Sequence, residues 1–173
     1  NPDTDRVNPG AMPEIDRWAL MRLEQVRARI SQAYEDYEYH VLYHAAHNFC
    51  AVDLSSFYLD VLKDRLYTAA PGSPERRAAQ TVMCDILDTL VVLLAPILSF
   101  TAEEVWQHAP RKADRPESVQ LAEWPVARPE ALDPALEAKW EGILRCRGEI
   151  TKALEAARRD KTIGHSLDAG GKI

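Results

Sequence analysis

Ser73-Pro74-Glu75-Arg76-Arg77, running on to Leu90-Val91-Val92-Leu93-Leu94-Ala95-Pro96, is the stretch on which the fold turns. Ser73 is a good helix N-cap, and Pro74 then falls at the first helical position, where its missing N–H costs nothing. The pattern predicts a helix from 74 to about 98, its last turn kinked or loosened by Pro96. The first half is polar on one face. The second half is apolar nearly all round, which describes a helix end surrounded by protein and too short to cross a membrane. Other helices must therefore pack around it.

Apolar spacing near 3.6 residues supplies them. Residues 14 to about 37 carry Ile15, Ala19, Val26, Ile30, Ala33 and Tyr37, with Trp18 and Leu23 beside them. Residues 39 to 66 step through Leu42, Ala45, Phe49, Val52, Ser56 and Leu59, widened by Phe57 and Val61 and ended by Ala69-Ala70-Pro71-Gly72. A short helix over 101–109 is expected from a capping box of Thr101 and Glu104, with Phe100 and Val105 at the staple positions. Residues 110–132 hold four prolines and read as a loop, in which Ser118-Val119-Gln120-Leu121 alternates like a short extended segment. Asp133 caps a fifth helix with Pro134 at its first position, its face formed by Leu136, Trp140, Ile143, Ile150, Leu154 and Ala157. The glycine-bearing tail from Gly164 to Ile173 reads as loose. The expected organisation is a linker or lead-in over 1–13, a bundle over 14–132, and a C-terminal helix with junction tail over 133–173. The fold class is all-α, an antiparallel bundle of four to five helices.

At 173 residues the chain suits one domain and buries roughly 70% of its unfolded surface, enough for a core without staples. The three cysteines (Cys50, Cys84, Cys146) are odd in number and form no Cys-x-x-Cys, which argues against a disulfide framework and for a reducing, cytoplasmic setting. No run of about 18 apolar residues predicts a membrane span, and Asn1 to Asp5 do not read as a signal peptide. The net charge of −6 argues against a bulk electrostatic grip on nucleic acid, so any RNA contact must use a local basic face.

His40, His44, His47 and Cys50 share roughly one helical face. They make a zinc site sterically possible, although no second ligand cluster is evident, and a half-polar packing face beside Tyr43 is the plainer reading. Ile163-Gly164-His165 faintly echoes a nucleotide-binding His-Ile-Gly-His motif but lacks the strand before it and the helix after it. Glu103-Glu104 makes a carboxylate pair, for which capping by Glu104 is the simpler account. There is no nucleophile elbow and no glycine-rich phosphate loop, so the residues predict no catalytic and no metal site. Basic residues gather on the first helix, at the end of the second, at the start of the third and along the fifth. Arg76 and Arg77 are out of place at a helix N-terminus and need a partner, for which an RNA phosphate is one candidate. Trp106 and Trp124 have the rings to stack on unpaired bases, and core packing is the alternative.

Three blocks carry a resemblance: Asp16-Arg17-Trp18, the run Phe57-Tyr58-Leu59-Asp60-Val61-Leu62-Lys63-Asp64-Arg65-Leu66-Tyr67, and the run from Leu94-Ala95-Pro96 through Phe100-Thr101-Ala102-Glu103-Glu104-Val105-Trp106. They resemble the anticodon-binding domain of bacterial-type isoleucyl-tRNA synthetases, of class Ia. Ser118 to Pro125, Arg147 to Ile150 and Lys161 to Leu167 are similar to the segments that follow in that family. The Phe57–Tyr67 block is the most specific, and the Pro96–Trp106 block alone suits the valyl and leucyl relatives as well. The resemblance implies a fragment of a ligase that esterifies isoleucine to its tRNA. ATP and Mg would act in an absent catalytic domain, and this piece would need no cofactor. The implied partners are the tRNA(Ile) anticodon stem-loop and the synthetase's own catalytic and C-terminal domains. Charge placement and loop position mark Arg17, Arg22, Arg76, Arg77 and Trp124 as the expected RNA-facing residues. The competing functions are a helical docking scaffold that binds no RNA and a metal-binding helical protein.

Overall fold

The computed structural model describes residues 3–110, 112, 113, 115–165 and 168–170. Among them there is no strand, and the fold is an all-α bundle. The chain divides into two compact units, the first ending at Leu132 and the second beginning at Asp133.

In the first unit α1 (Glu14–Glu35) starts after Pro13, with Glu14 and Asp16 in a first turn that favours negative charge. Its end forms a Schellman motif. The Tyr37 N–H bonds the Tyr34 carbonyl at 3.2 Å, and the Glu38 N–H reaches back to Ala33 at 2.8 Å. Tyr37 occupies the left-handed position, φ 57°, that usually falls to glycine. α2 (Tyr39–Asn48), a π-helical segment (Phe49–Tyr58) and α3 (Leu59–Thr68) then run on as one rod.

That π segment changes the expected core. The N–H of Leu59 bonds the carbonyl of Leu54, five residues back, and the inward positions step from Phe49 to Leu54. A continuous α-helix would have turned Val52, Ser56 and Leu59 inward. Instead these three are exposed, and Leu54, Phe57, Tyr58 and Leu62 are buried. One extra residue per turn rotates everything downstream toward α1 and α4, against which this rod packs.

α4 (Pro74–Leu94) begins as expected, the Ser73 hydroxyl accepting from the Arg76 N–H at 3.3 Å. It ends just ahead of Pro96. Val91, Val92, Leu93 and Ala95 are buried, while Leu90 and Leu94 are half-buried. α5 (Ser99–His108) starts two residues before the expected capping box. A tight turn delivers the Leu98 N–H to the Leu94 carbonyl at 2.8 Å and opens the helix there, so Thr101 lies inside it and Phe100 is exposed instead of stapled. Ser118 to Leu121 likewise forms a 3-10 turn (Val119–Leu121) and no extended strand, the Ser118 hydroxyl accepting from the Gln120 N–H. Val119 closes a cluster with Val91, Val92, Ala95, Ala102 and Trp106. The segment is pinned by Glu103, whose carboxylate accepts from the Ser118 hydroxyl at 2.7 Å and the Val119 N–H at 3.1 Å. Glu103, and not Glu104, is the working carboxylate of that pair.

The lead-in is tied down too. Arg6 is ion-paired with the buried Asp85 of α4, and the Val7 N–H bonds the Thr81 hydroxyl at 3.1 Å. Arg128 meets the same Asp85 at 3.2 Å, so one carboxylate anchors both flanking segments. Between α3, α4 and α5 lies an open apolar groove of about 810 Å³, lined by Leu59, Leu66, Leu87, Leu90, Leu94 and Val105.

The second unit is α6 (Pro134–Arg159) with its exit. Asp133 caps it, accepting from the Ala135 and Leu136 N–H groups at 3.0 Å each. Its first turns bury Leu136 and Trp140, while Ile143 and Ile150 on the expected apolar face are about two-fifths exposed. The helix closes with a second Schellman motif, Lys161 at φ 57° and the Thr162 N–H on the Ala157 carbonyl. Of the tail expected to be loose, Ser166, Leu167 and residues 171–173 lie outside the described residues.

Candidate nucleic-acid interface

Three of the residues that carry the resemblance, Asp16, Tyr58 and Arg65, meet in the interior. Asp16 is fully buried. Its carboxylate accepts from the Tyr58 hydroxyl at 2.8 Å and from both terminal nitrogens of Arg65, at 2.8 and 2.9 Å. A forked guanidinium satisfies both carboxylate oxygens at once, the geometry a buried carboxylate needs. Burial and the adjacent Asp16 push the Tyr58 hydroxyl far above the usual tyrosine range, so it stays a donor at every physiological pH. Hydrogen bonding to Asp16 raises Arg65 further still. The knot joins α1 to the end of the π segment and to α3. These three residues hold the scaffold together.

The five residues expected to face RNA have separate situations. Arg17, beside Asp16 but on the outside, is exposed and has no ionic partner among the described residues. Arg22 is held by Asp53, with Nε at 3.1 Å and a terminal nitrogen at 2.9 Å, and it also donates to Gln25. Arg76 is half-buried and donates to the Ala69 carbonyl at 3.0 Å, while its Nε, shielded from solvent, has no hydrogen-bond partner among the described residues. Arg77 stands 3.9 Å from Asp5. Trp124, 40% exposed, donates its indole N–H to Ser31 at 2.9 Å and sets its ring edge-on to Tyr34 at 5.4 Å. The fold thus leaves Arg17 and the Trp124 ring available, and gives the other three guanidiniums protein partners.

Trp106 is a core residue. It is buried, bonds the Pro116 carbonyl at 3.0 Å, and carries the Arg115 guanidinium over its ring at 3.7 Å. The histidines of α2 lie outside. His40, His44 and His47 are exposed, and Cys50, a turn further on, is half-buried with burial raising its thiol. Among the described residues, no group of three or more His, Cys, Asp or Glu side chains is arranged to hold a metal ion. No helix of the described residues is long and apolar enough to cross a membrane.

What the sequence reading passed over is the ring surface around those histidines. Tyr37, Tyr39 and Tyr43 are each more than half exposed. Tyr43 stacks on His47 at 5.6 Å and meets His44 edge-on at 5.3 Å. Tyr39 meets Tyr34 at 6.2 Å. Tyr34 in turn anchors the array, donating its hydroxyl to the Leu93 carbonyl at 2.9 Å, with burial pushing its pKa up to about 12. The available signal was the recurrence of Tyr and His at five of the six outward positions of α2, which helical spacing alone does not separate from a packing face.

Charge divides unevenly between the units. Residues 1–132 hold 20 carboxylates against 13 Lys and Arg, and residues 133–173 hold seven against eight. Any anion meeting the first unit must therefore find a local exception to its acidity.

A helical bundle whose signature side chains form one interior knot, with rings and an unpaired arginine outside, agrees with what the comparisons give. Residues 16–173 match the family model for the anticodon-binding domain of tRNA ligase, and the chain belongs to that family. It is 53% identical over 98% of its length to isoleucine–tRNA ligase of Moorella thermoacetica. It is 55% identical over 95% to that of Carboxydothermus hydrogenoformans, and 51% identical over 98% to that of Geobacter sulfurreducens. The chain spans 18% of the length of each of these relatives.

Proposed function

We propose that this chain is the anticodon-binding part of an isoleucine–tRNA ligase, holding the tRNA(Ile) anticodon stem-loop so that the acceptor end reaches a catalytic domain elsewhere in a longer protein. The observation that carries the reading is identity of 50% and more to isoleucine–tRNA ligases across nearly the whole chain. In this reading ATP and Mg act in the catalytic domain, the ligase works in the cytoplasm, residues 14–132 form the RNA-holding bundle, and residues 133–173 lead into the next part. Unpaired anticodon bases are splayed and read by rings and polar edges, while arginines position the backbone.

The test is binding of a labelled tRNA(Ile) anticodon stem-loop, with a changed-anticodon control, at two salt concentrations. Preference for the matching loop, weakening steeply with salt, is the expected result. Equal affinity for both loops from folded protein would remove recognition from this chain. Charge reversal at Arg17, which has neither an ionic nor a hydrogen-bonding side-chain partner among the described residues, should weaken binding more than reversal at Arg22, Arg76 or Arg77. It should also lower the salt slope by about 1. Unchanged affinity across these four and Trp124 would remove them as contacts.

The apolar groove along α4 favours a second reading, a scaffold onto which an apolar face of the ligase's catalytic part docks. Normal stem-loop binding combined with lost aminoacylation in a Leu90→Asp ligase would support that role.

A further inference from the structure

All six exposed residues of α2 are Tyr, His or Asn: Tyr39, His40, Tyr43, His44, His47 and Asn48. No Leu, Ile or Met is among them, so this face does not have the composition of a dock for an apolar helix. Its rings fall into two contacting groups one helical turn apart. Trp124 touches Tyr34, Tyr34 touches Tyr39, Tyr43 follows one turn along, and Tyr43 stacks on His47.

Two further features set this face apart. From Tyr39 to Leu59 the sequence carries a single carboxylate, Asp53, and that one is neutralised by Arg22. The other 19 carboxylates of the first unit lie outside this stretch of the sequence. In addition, Tyr37 stands in the left-handed region, where a bulky residue is strained, and its side chain is 78% exposed. Glu35, Asp36 and Glu38 crowd that end of α2, which directs an anionic backbone toward the His44–Asn48 end.

We infer that the outward face of α2, from Tyr39 to Asn48, is a stacking platform for unpaired RNA bases. Planar rings take any base on their π faces, and imidazole and amide edges bond base edges beside them. Trp124 extends the platform across Tyr34. The inference rests on the RNA-binding reading above and adds to it the surface on which the bases lie.

The experiment uses the 173-residue chain and a tRNA(Ile) anticodon stem-loop with 2-aminopurine at one loop position, whose fluorescence falls on stacking. Wild-type protein should quench it. Tyr43→Ala should weaken binding about tenfold and restore the fluorescence. Tyr43→Phe, which keeps the ring, should retain both, and Tyr67→Ala, an 83% exposed tyrosine of α3, should change neither. Near-ultraviolet circular dichroism checks that each variant is folded. Unchanged affinity and quenching in a Tyr43→Ala, His47→Ala double variant would overturn the platform and leave RNA binding standing. Equal affinity of wild type for a fully paired stem would overturn it as well. If wild type binds no stem-loop at all, the RNA-binding reading fails, and the platform with it.

Discussion

The rod from Tyr39 to Thr68 has two unlike sides. Inward, Leu62 is buried and Tyr58 and Arg65 are locked to Asp16 of α1, which three donors satisfy. Outward, Tyr39, His40, Tyr43, His44 and His47 have water for most of their surroundings. The buried part of the Phe57–Tyr67 motif lies on the inner side, and the outward face of α2 carries no part of it. The difference teaches that residues which make a family recognisable can be its architecture. The side chains which that architecture holds out have no spacing rule to advertise them.

The sharpest way to break the contrast is Asp16→Ala. It strands the Arg65 guanidinium and the Tyr58 hydroxyl, and should cost about 3–5 kcal/mol in urea unfolding. Tyr43→Ala on the outer side should stay within about 0.5 kcal/mol of wild type in the same assay. Similar losses at both positions would erase the distinction. Tyr58→Phe removes one donor to the buried carboxylate and leaves Arg65 in place, so about 2 kcal/mol is expected. Tyr37→Gly should move stability the other way, by about 1 kcal/mol, because glycine accepts φ 57° without strain. A loss at that position would mean that the exposed ring holds the α1–α2 turn together.

The smallest effect concerns pH. Hydrogen bonds from Gln107 and Ser118, with help from the Val119 N–H, hold the Glu103 carboxyl below its ordinary value. A depressed folded value means the contribution is complete above the ordinary glutamate range and is lost as pH falls through the lowered value. Hydrogen exchange at the Val119 amide should therefore speed up on acidification in wild type. In Glu103→Gln it should be fast and flat across the same window. An amide equally protected at every pH would show that Trp106 and Val119 alone dock the 118–121 turn.

Local chemistry was legible at two helix starts, where the signal lies within one turn of its partner. Ser73 and Asp133 cap the helices they precede, and both prolines after them sit at the first helical position. The same reasoning failed at Thr101, because the turn between Leu94 and Leu98 starts α5 earlier through backbone bonds that no capping pattern registers. It failed at Val52, Ser56 and Leu59 because a strict 3.6-residue period cannot foresee a π segment. Among the candidate site residues, charge placement singled out Arg22 and Arg77. The carboxylates that meet them, Asp53 and Asp5, come from 31 and 72 residues away.

By itself the sequence determined the helical class, the Ser73 and Asp133 caps, the buried end of α4 and the family, because propensity, capping and motif identity are properties of neighbours along the chain. Only the tertiary structure decided which side of the 39–68 rod faces in, which arginines are consumed by carboxylates, and that Trp106 belongs to the core while Trp124 keeps an open ring. Those outcomes depend on a one-residue change of helical register and on partners distant in sequence, and packing sets both.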